Sequence, residues 1–139
     1  MSRKPAAYLA AQYGWREDIK EYAKQIEALG IEITSSWLKE RKEPQSELTE
    51  LTPRFLREHA LIDVRDIDRA DLIILFTVPA VTPTKRGGRH VEFGYALGRG
   101  KTLVICGPRE NIFHYLPHVV WCATFPDLLT FLENNYAAN

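Results

Sequence analysis

The segment Leu72–Phe76 most restricts how this chain can fold, because its five consecutive apolar residues, LIILF, leave no polar face. A strand with this pattern is buried on both faces, which is typical of a central strand in a parallel sheet. Asp71 precedes the run and Thr77 follows it, so we expect a strand over 71–77. Parallel strands require long crossover connections, which are usually helices.

The rest of the chain alternates strand-like and helix-like segments. Apolar residues recur at spacings of three and four from Ile19 to Leu29, which predicts a helix over 16–29. A parallel sheet between layers of helices follows from this alternation. The polar segment from Trp37 to Thr52 is expected to be an exposed helix or a mobile flap, and Trp121 is expected in the core. The other expected strands are 6–11, 31–35, 102–106 and 119–122, and the other expected helices are 53–69, 90–98 and 125–136.

Composition excludes several classes of protein. The 139 residues fit one domain, 1–139, and 18 basic residues balance 18 acidic ones, which argues against a nucleic-acid polymer as partner. No apolar run reaches the roughly 20 residues that span a bilayer. Cys106 and Cys122 are too few for a disulfide framework, and the histidines show no metal-site spacing. We therefore expect a cytoplasmic protein without a membrane partner, metal or cofactor.

Ligands of parallel α/β sheets bind beyond the carboxyl ends of the strands. Gln12, Arg16 and Trp37 follow the first two strands and are candidates for substrate contact. After the central strand, Gly87 and Gly88 allow the backbone to approach a ligand, and their N–H groups precede a helix N-terminus suited to an anion. The basic residues Lys85, Arg86 and Arg89 bracket this glycine pair.

Two carboxylates stand out near these segments. Glu92 is expected in the first turn of its helix, where the helix dipole favours the ionised form that a nucleophile needs. Asp63 lies eight residues before Asp71, on a helix face that can look over the ligand edge. Asp71 is expected to cap the strand entry and Asp68 to be solvated. Two carboxylates at one sugar-sized pocket are what a retaining glycosyl transfer requires, although Glu92 could equally serve only to stabilise its helix.

The combination of Tyr8-Leu9-Ala10, Asp63 and Glu92-Phe93-Gly94-Tyr95-Ala96-Leu97 resembles the nucleoside 2-deoxyribosyltransferase family, with its relatives the 2′-deoxynucleoside 5′-phosphate N-hydrolases and cytidylate N-hydrolases. The resemblance runs from about Tyr8 to Asn111. It implies a single flavodoxin-like (Rossmann-like) three-layer α/β domain with a five-stranded parallel sheet. It also implies a homodimer or higher homo-oligomer.

The resemblance assigns roles to individual residues. Glu92 matches the nucleophile that cleaves the N-glycosidic bond through a glycosyl-enzyme intermediate, and Tyr8 matches the tyrosine that positions it. Asp63 matches the aspartate beside the sugar and base. Asn111 falls where the transferases reach the 5′-hydroxyl of a neighbouring subunit's substrate.

The chain departs from the transferases at Arg86, where they carry a base-contacting aspartate six residues before the nucleophile. The nucleotide hydrolases also lack that aspartate, and their first loop carries an arginine before acidic residues, as in Arg16-Glu17-Asp18. Arg16 with Arg86 or Arg89 could hold a 5′-phosphate, although Arg16 could equally only begin its helix. The sequence thus predicts transfer of a sugar from a nucleoside or nucleoside 5′-monophosphate to water or another base. A non-catalytic nucleotide or nucleotide-sugar sensor is the alternative.

Overall fold

The computed structural model describes residues 3–39, 52–77 and 87–137 of the chain. Five strands and four α-helices lie within these residues, joined in places by short 3-10 turns. The strands are β1 (Ala6–Ala10), β2 (Glu32–Ile33), β3 (Leu72–Phe76), β4 (Thr102–Cys106) and β5 (Val120–Cys122). The helices are α1 (Arg16–Glu27), α2 (Pro53–Asp68), α3 (Gly88–Gly98) and α4 (Phe125–Asn135).

The strands of the described residues all run parallel, in the order β2–β1–β3–β4–β5. This is the strand order of flavodoxin-like sheets, so the expected three-layer α/β fold is confirmed. β3 lies at the centre and is completely buried, as its apolar run predicts. The strand order reverses between β1 and β3, and the crevice at the carboxyl ends of these two strands is where such sheets bind ligands.

Helices cover both faces of the sheet. α2 and α3 contact each other and β1, and they share the face towards which Tyr8 of β1 points. On the other face, Tyr22 of α1 stacks on Phe125 of α4, with ring centroids 4.1 Å apart. Tyr22 also stacks on Phe76 of β3 at 5.3 Å. Because strand side chains alternate and Ile73 is in register with Tyr8, Phe76 faces away from α2 and α3.

Three sequence expectations about these elements are wrong in detail. The second strand covers only Glu32–Ile33, because the Ser35 hydroxyl, rather than a backbone carbonyl, accepts from the Leu9 N–H at 2.7 Å. The third helix begins at Gly88, two residues earlier than expected. Trp121 is 46% exposed because β5 is an edge strand, and its indole N–H donates to the Gly107 carbonyl at 2.8 Å.

The polar segment from Trp37 to Thr52 lies mostly outside the described residues. At its start, Ser36–Leu38 form a 3-10 turn in which Trp37 and Leu38 are buried. At its end, Thr52 caps α2 by accepting from the Phe55 N–H at 3.1 Å, and Pro53 is the first helical residue. The predicted cap and proline start of α2 are therefore confirmed.

Asp66 of α2 anchors the 3-10 turn after β2. Its side chain is 3% exposed, and Oδ2 accepts from both the backbone N–H and the hydroxyl of Ser36, at 3.0 and 2.6 Å. Oδ1 accepts from Arg69 at 3.1 Å. A buried carboxylate with three donors fixes this turn against α2, one helical turn from Asp63.

We predict that Asp66→Ala lowers the free energy of unfolding by about 2 kcal/mol, because it leaves the partly buried Ser36 donors without their charged acceptor. Urea denaturation followed by circular dichroism measures this change. The exposed Asp18→Ala is the matched control, expected to cost no more than about 0.5 kcal/mol. Equal stability of Asp66→Ala and the wild type would show that this carboxylate is not a structural anchor.

Candidate active site

Gly87 directly precedes α3, the helix that carries Glu92. It is the N-cap residue of α3 with φ +80°, a left-handed conformation that residues with a Cβ rarely adopt. Its carbonyl accepts from the N–H groups of His90 and Val91, at 3.0 and 3.2 Å. A Cβ at Gly88 would meet nothing within 4 Å. Of these two neighbouring glycines, only Gly87 has a backbone conformation that requires glycine.

Tyr8 links the sheet to the candidate nucleophile. Its side chain is completely buried in β1, and its hydroxyl donates to Oε2 of Glu92 at 2.8 Å. A buried tyrosine hydroxyl requires a partner, and Glu92 is that partner. The structure therefore brings together two residues that are 84 positions apart in the chain and fixes the carboxyl group beside β1.

Asp63 of α2 completes the cluster. Its carboxyl makes a hydrogen bond with that of Glu92. Burial, and then the negative charge of Asp63, raise the pKa of Glu92 to about 8, although the hydrogen bond from Tyr8 acts in the opposite direction. We infer that the two carboxyls share one proton at neutral pH, as closely placed carboxylates do when both cannot ionise.

The expectation that the helix dipole favours ionised Glu92 is wrong. Because α3 begins at Gly88, Glu92 is its fifth residue, and the first turn of this helix carries no acidic side chain. The dipole acts mainly within the first turn, so burial and Asp63 control the carboxyl instead.

Asp68 fixes α2 against α3, although its side chain is 35% exposed and so partly solvated, as the sequence suggested. Its Oδ1 accepts from the Tyr95 hydroxyl at 2.8 Å and from Arg99 at 3.0 Å. These hydrogen bonds, that of Tyr95 foremost, hold the pKa of Asp68 below its usual value. Since Tyr95 lies one helical turn beyond Glu92, the contact helps to set the helix register that brings Asp63 to Glu92.

The candidates after β1 and β2 are held partly by one another. Trp37 is 7% exposed, and its indole N–H donates to the Leu9 carbonyl at 2.9 Å, so its ring covers the end of the sheet. Arg16 donates through Nε to the Trp37 carbonyl at 3.1 Å. The buried Nε2 of Gln12 has no hydrogen-bond partner among the described residues and is therefore a candidate ligand contact.

The basic residues around the glycine pair are not equivalent. Arg86, like Lys85, lies outside the described residues. Arg89 is 6% exposed and donates to Oε1 of Glu110 at 3.0 Å. Its guanidinium is therefore turned towards an internal carboxylate rather than open to a substrate phosphate.

Asn111 follows Glu110 in the loop after β4. Its Oδ1 accepts from the Phe113 N–H at 2.9 Å and caps the 3-10 turn Ile112–Tyr115. Asn111 also lines a pocket of about 540 Å³ between this turn and α3. The α3 residues of that pocket include His90, Gly94 and Leu97, whose spacing places them on a different helix face from Glu92. The single chain therefore does not bring Asn111 to the carboxylate cluster.

Sequence reasoning missed Glu110 and Asp66. Glu110 lies in the loop after β4 and Asp66 near the end of α2, and nothing in the local pattern distinguishes either from a solvated carboxylate. The described residues contain no group of three His, Cys, Asp or Glu side chains arranged to hold a metal ion. In the described part of the chain, no helix is long and apolar enough to cross a membrane.

Three solved structures share this fold across nearly their full lengths. A CMP N-glycosidase of Clostridium botulinum is 20% identical with a TM-score of 0.59, and the match covers 93% of this chain and 98% of that one. A 2-deoxyribosyltransferase from Bacillus psychrosaccharolyticus is 18% identical with a TM-score of 0.62, covering 89% and 90%. A conserved protein from Enterococcus faecalis V583 is 16% identical with a TM-score of 0.63, covering 94% and 98%.

No family model matches the sequence, and no curated protein matches it. The structural comparisons therefore establish the fold, which is the one that the resemblance to the deoxyribosyltransferases implied. At these levels of identity, a common fold does not by itself transfer an activity. The chemistry must be argued from the cluster of Tyr8, Asp63 and Glu92.

We predict that the pKa of Glu92 responds oppositely to changes in its two neighbours. Tyr8→Phe removes a hydrogen bond that favours the carboxylate, so the pKa should rise above about 8. Asp63→Asn removes the adjacent negative charge, so the pKa should fall. Titration of the side-chain carboxyl carbons by NMR measures both shifts, with Glu92→Gln identifying the resonance. A pKa that is unchanged in both variants would show that the three groups are not coupled.

Proposed function

We propose that the protein cleaves the N-glycosidic bond of (deoxy)nucleosides or nucleoside 5′-monophosphates and transfers the sugar to water or another base. The observation that carries this proposal is the partly buried cluster in which Tyr8 donates to Glu92 at 2.8 Å while Asp63 contacts the same carboxyl. The fold is shared with an enzyme named as a CMP N-glycosidase and with one named as a 2-deoxyribosyltransferase, which supports the same class of chemistry.

The reaction needs a nucleophile and a proton donor. In the first step, the Glu92 carboxylate attacks C1′ of the sugar, the C1′–N bond breaks, and the bonding electrons leave with the base. A glycosyl ester on Glu92 results. In the second step, water or another base attacks C1′, the now ionised Asp63 takes the proton that the attacking group loses, and the Glu92 carboxylate leaves, so the two displacements retain the configuration at C1′. Tyr8 holds the attacking carboxylate in line throughout.

The shared proton gives the two carboxyls complementary roles. A pair holding one proton can present one member as nucleophile and the other as acid, which is how paired carboxylates divide these tasks elsewhere. When Asp63 carries the proton, it can protonate the departing base and Glu92 is free to attack. The raised pKa of Glu92 reflects a proton retained within the pair at neutral pH, and attack requires that proton to lie on Asp63 rather than on Glu92.

The substrate class follows from groups around the ligand edge. The N-terminus of α3, whose N-cap residue is Gly87, offers backbone N–H groups to an anion. Arg16 is held through Nε on the Trp37 carbonyl, which positions its guanidinium near the end of β1. Both features favour a 5′-monophosphate over an uncharged nucleoside. Nε2 of Gln12, which has no hydrogen-bond partner within the described ranges, is a further candidate contact for the substrate.

We predict that Glu92→Gln lowers base release by at least about 10³-fold, because the amide keeps the hydrogen bond from Tyr8 but cannot attack C1′. The assay incubates the protein with a panel of nucleosides and 5′-monophosphates, with and without a free acceptor base, and separates the products by chromatography. New nucleosides report transfer, and free sugars or sugar phosphates report hydrolysis. The matched control is Glu133→Gln, which alters an exposed carboxylate of α4.

The outcomes of this assay separate the possible functions. Undiminished turnover by Glu92→Gln would exclude the glutamate mechanism. Thermal stabilisation of the wild type by a nucleotide, with no base released from any member of the panel, would instead support the non-catalytic sensor.

We further propose that the protein works as a homodimer or higher homo-oligomer. Large apolar side chains are exposed beside the pocket between α3 and the 3-10 turn: Val91 is 73% exposed, Ile112 is 77% and Phe113 is 56%. A face that carries both a pocket and protruding apolar groups can be complementary to itself, as a two-fold interface requires. Association there would also bring Asn111 close to a second copy.

We predict that Phe113→Asp shifts the protein towards monomers, because it places a charge within this apolar face. Sedimentation velocity over a range of protein concentrations measures the change. Leu61→Asp is the matched control, since Leu61 is 63% exposed on α2, outside this face. An assembly state that is unchanged by Phe113→Asp, or equally changed by both variants, would place the interface elsewhere.

A further inference from the structure

Arg89 and Glu110 form a buried ion pair beside the candidate active site. Nη2 of Arg89 lies 3.0 Å from Oε1 of Glu110, and the two side chains are 5% and 19% exposed. Arg89 belongs to the first turn of α3, one turn before Glu92, whereas Glu110 belongs to the loop after β4. The pair therefore joins two segments that follow different strands of the sheet.

Glu110 is held through its backbone as well as its side chain. Its N–H donates to Nδ1 of His114 at 2.9 Å, and its Oε1 lies 3.4 Å from Nε2 of His90. Burial, and then the neighbouring His90, hold the pKa of His114 below its usual value, so at neutral pH its Nδ1 can accept a hydrogen bond. Contacts on both sides of Glu110 leave this part of the loop little freedom to shift relative to α3.

A net gain in folding stability does not explain why Arg89 and Glu110 form a buried ion pair. Removing two charges from water costs about as much as their attraction returns, and apolar replacements of buried ion pairs are often neutral or stabilising. What the pair does supply is fixed geometry, because a guanidinium and a carboxylate meet only in restricted orientations. The position of Glu110 also fixes that of Asn111, which is the next residue.

We propose that Arg89 and Glu110 are positioning residues that fix the N-terminus of α3 against the loop after β4, and so the place at that N-terminus where the non-reacting end of the substrate binds. This inference rests on the proposed function. It also reassigns Arg89, which the sequence offered as a direct contact to substrate phosphate. Nη2 of this buried guanidinium is held by Glu110 and is not directed at a substrate phosphate.

The kinetic test uses Arg89→Met, Glu110→Gln and the double variant on one nucleoside and its 5′-monophosphate. A positioning role predicts that each single variant raises KM on the order of 10-fold while kcat changes less, because binding outside the reacting bond is lost equally from ground and transition states. On each substrate, Arg89→Met and Glu110→Gln should raise KM by about the same factor. The double variant should be no worse than the poorer single variant, since both substitutions break one contact.

Two kinetic outcomes would overturn the inference. A loss in Arg89→Met that is confined to the monophosphate, with Glu110→Gln unaffected, would mean that Arg89 contacts phosphate directly. Unchanged KM and kcat in both folded single variants would mean that the pair does not influence the site. Arg89→Lys tests rescue, because it keeps the charge but lacks the guanidinium geometry. A positioning role requires that the increase in KM be smaller in Arg89→Lys than in Arg89→Met but not abolished.

A second measurement does not depend on turnover. Hydrogen exchange compares the wild type, Glu110→Gln and Glu133→Gln, with the exchange of β3 as the check that each variant is folded. The inference predicts faster exchange in Glu110→Gln both in residues 87–92 and in residues 110–115. Unchanged exchange, or a change in only one segment, would overturn it. If the wild type releases no base from any substrate, the proposed function fails while this measurement still decides whether the pair couples the two segments.

Discussion

The hydrogen bond between Tyr8 and Glu92 is the contact on which the rest of the site depends. It joins β1, where the strand order reverses, to α3, the helix that follows the central strand. One buried hydroxyl therefore connects the sheet to the candidate nucleophile. Two further constraints make it possible. The contacts of Asp68 with Tyr95 and Arg99 set the alignment of α2 with α3, and the left-handed Gly87 fixes where α3 begins.

Much of this arrangement could be predicted because it follows from local sequence pattern. The apolar run of β3 requires a central buried strand, and the alternation around it requires a parallel sheet with its ligand edge at the carboxyl ends. Residue types, spacing and family resemblance are sufficient to predict Tyr8, Asp63 and Glu92 as candidate catalytic residues from the sequence. The structure shows that they lie together.

The errors arise where the outcome depends on distant parts of the chain. Trp121 has the pattern of a core residue, but the strand order puts β5 at an edge. The protonation of Glu92 depends on its burial and then on Asp63 from another helix, whereas the expectation considered only the dipole of the helix that carries Glu92. Arg89 appears available for phosphate until its partner, 21 residues further along, is known. Charge partners that meet across loops leave no periodic signal in the sequence.

The outer strands of the sheet have a consequence for how copies of this protein can meet. β2 contributes two residues and β5 three, and next to β5 the guanidinium of Arg109 stacks 3.9 Å from the centre of the Trp121 ring. Edge strands this short present few unpaired backbone N–H and C=O groups, so another chain can form few hydrogen bonds by adding a strand to the sheet. Polymerisation through strand addition is therefore disfavoured. The apolar side chains exposed on α3 and the 3-10 turn, Val91, Ile112 and Phe113, therefore need not lead to fibre growth at the edges of the sheet.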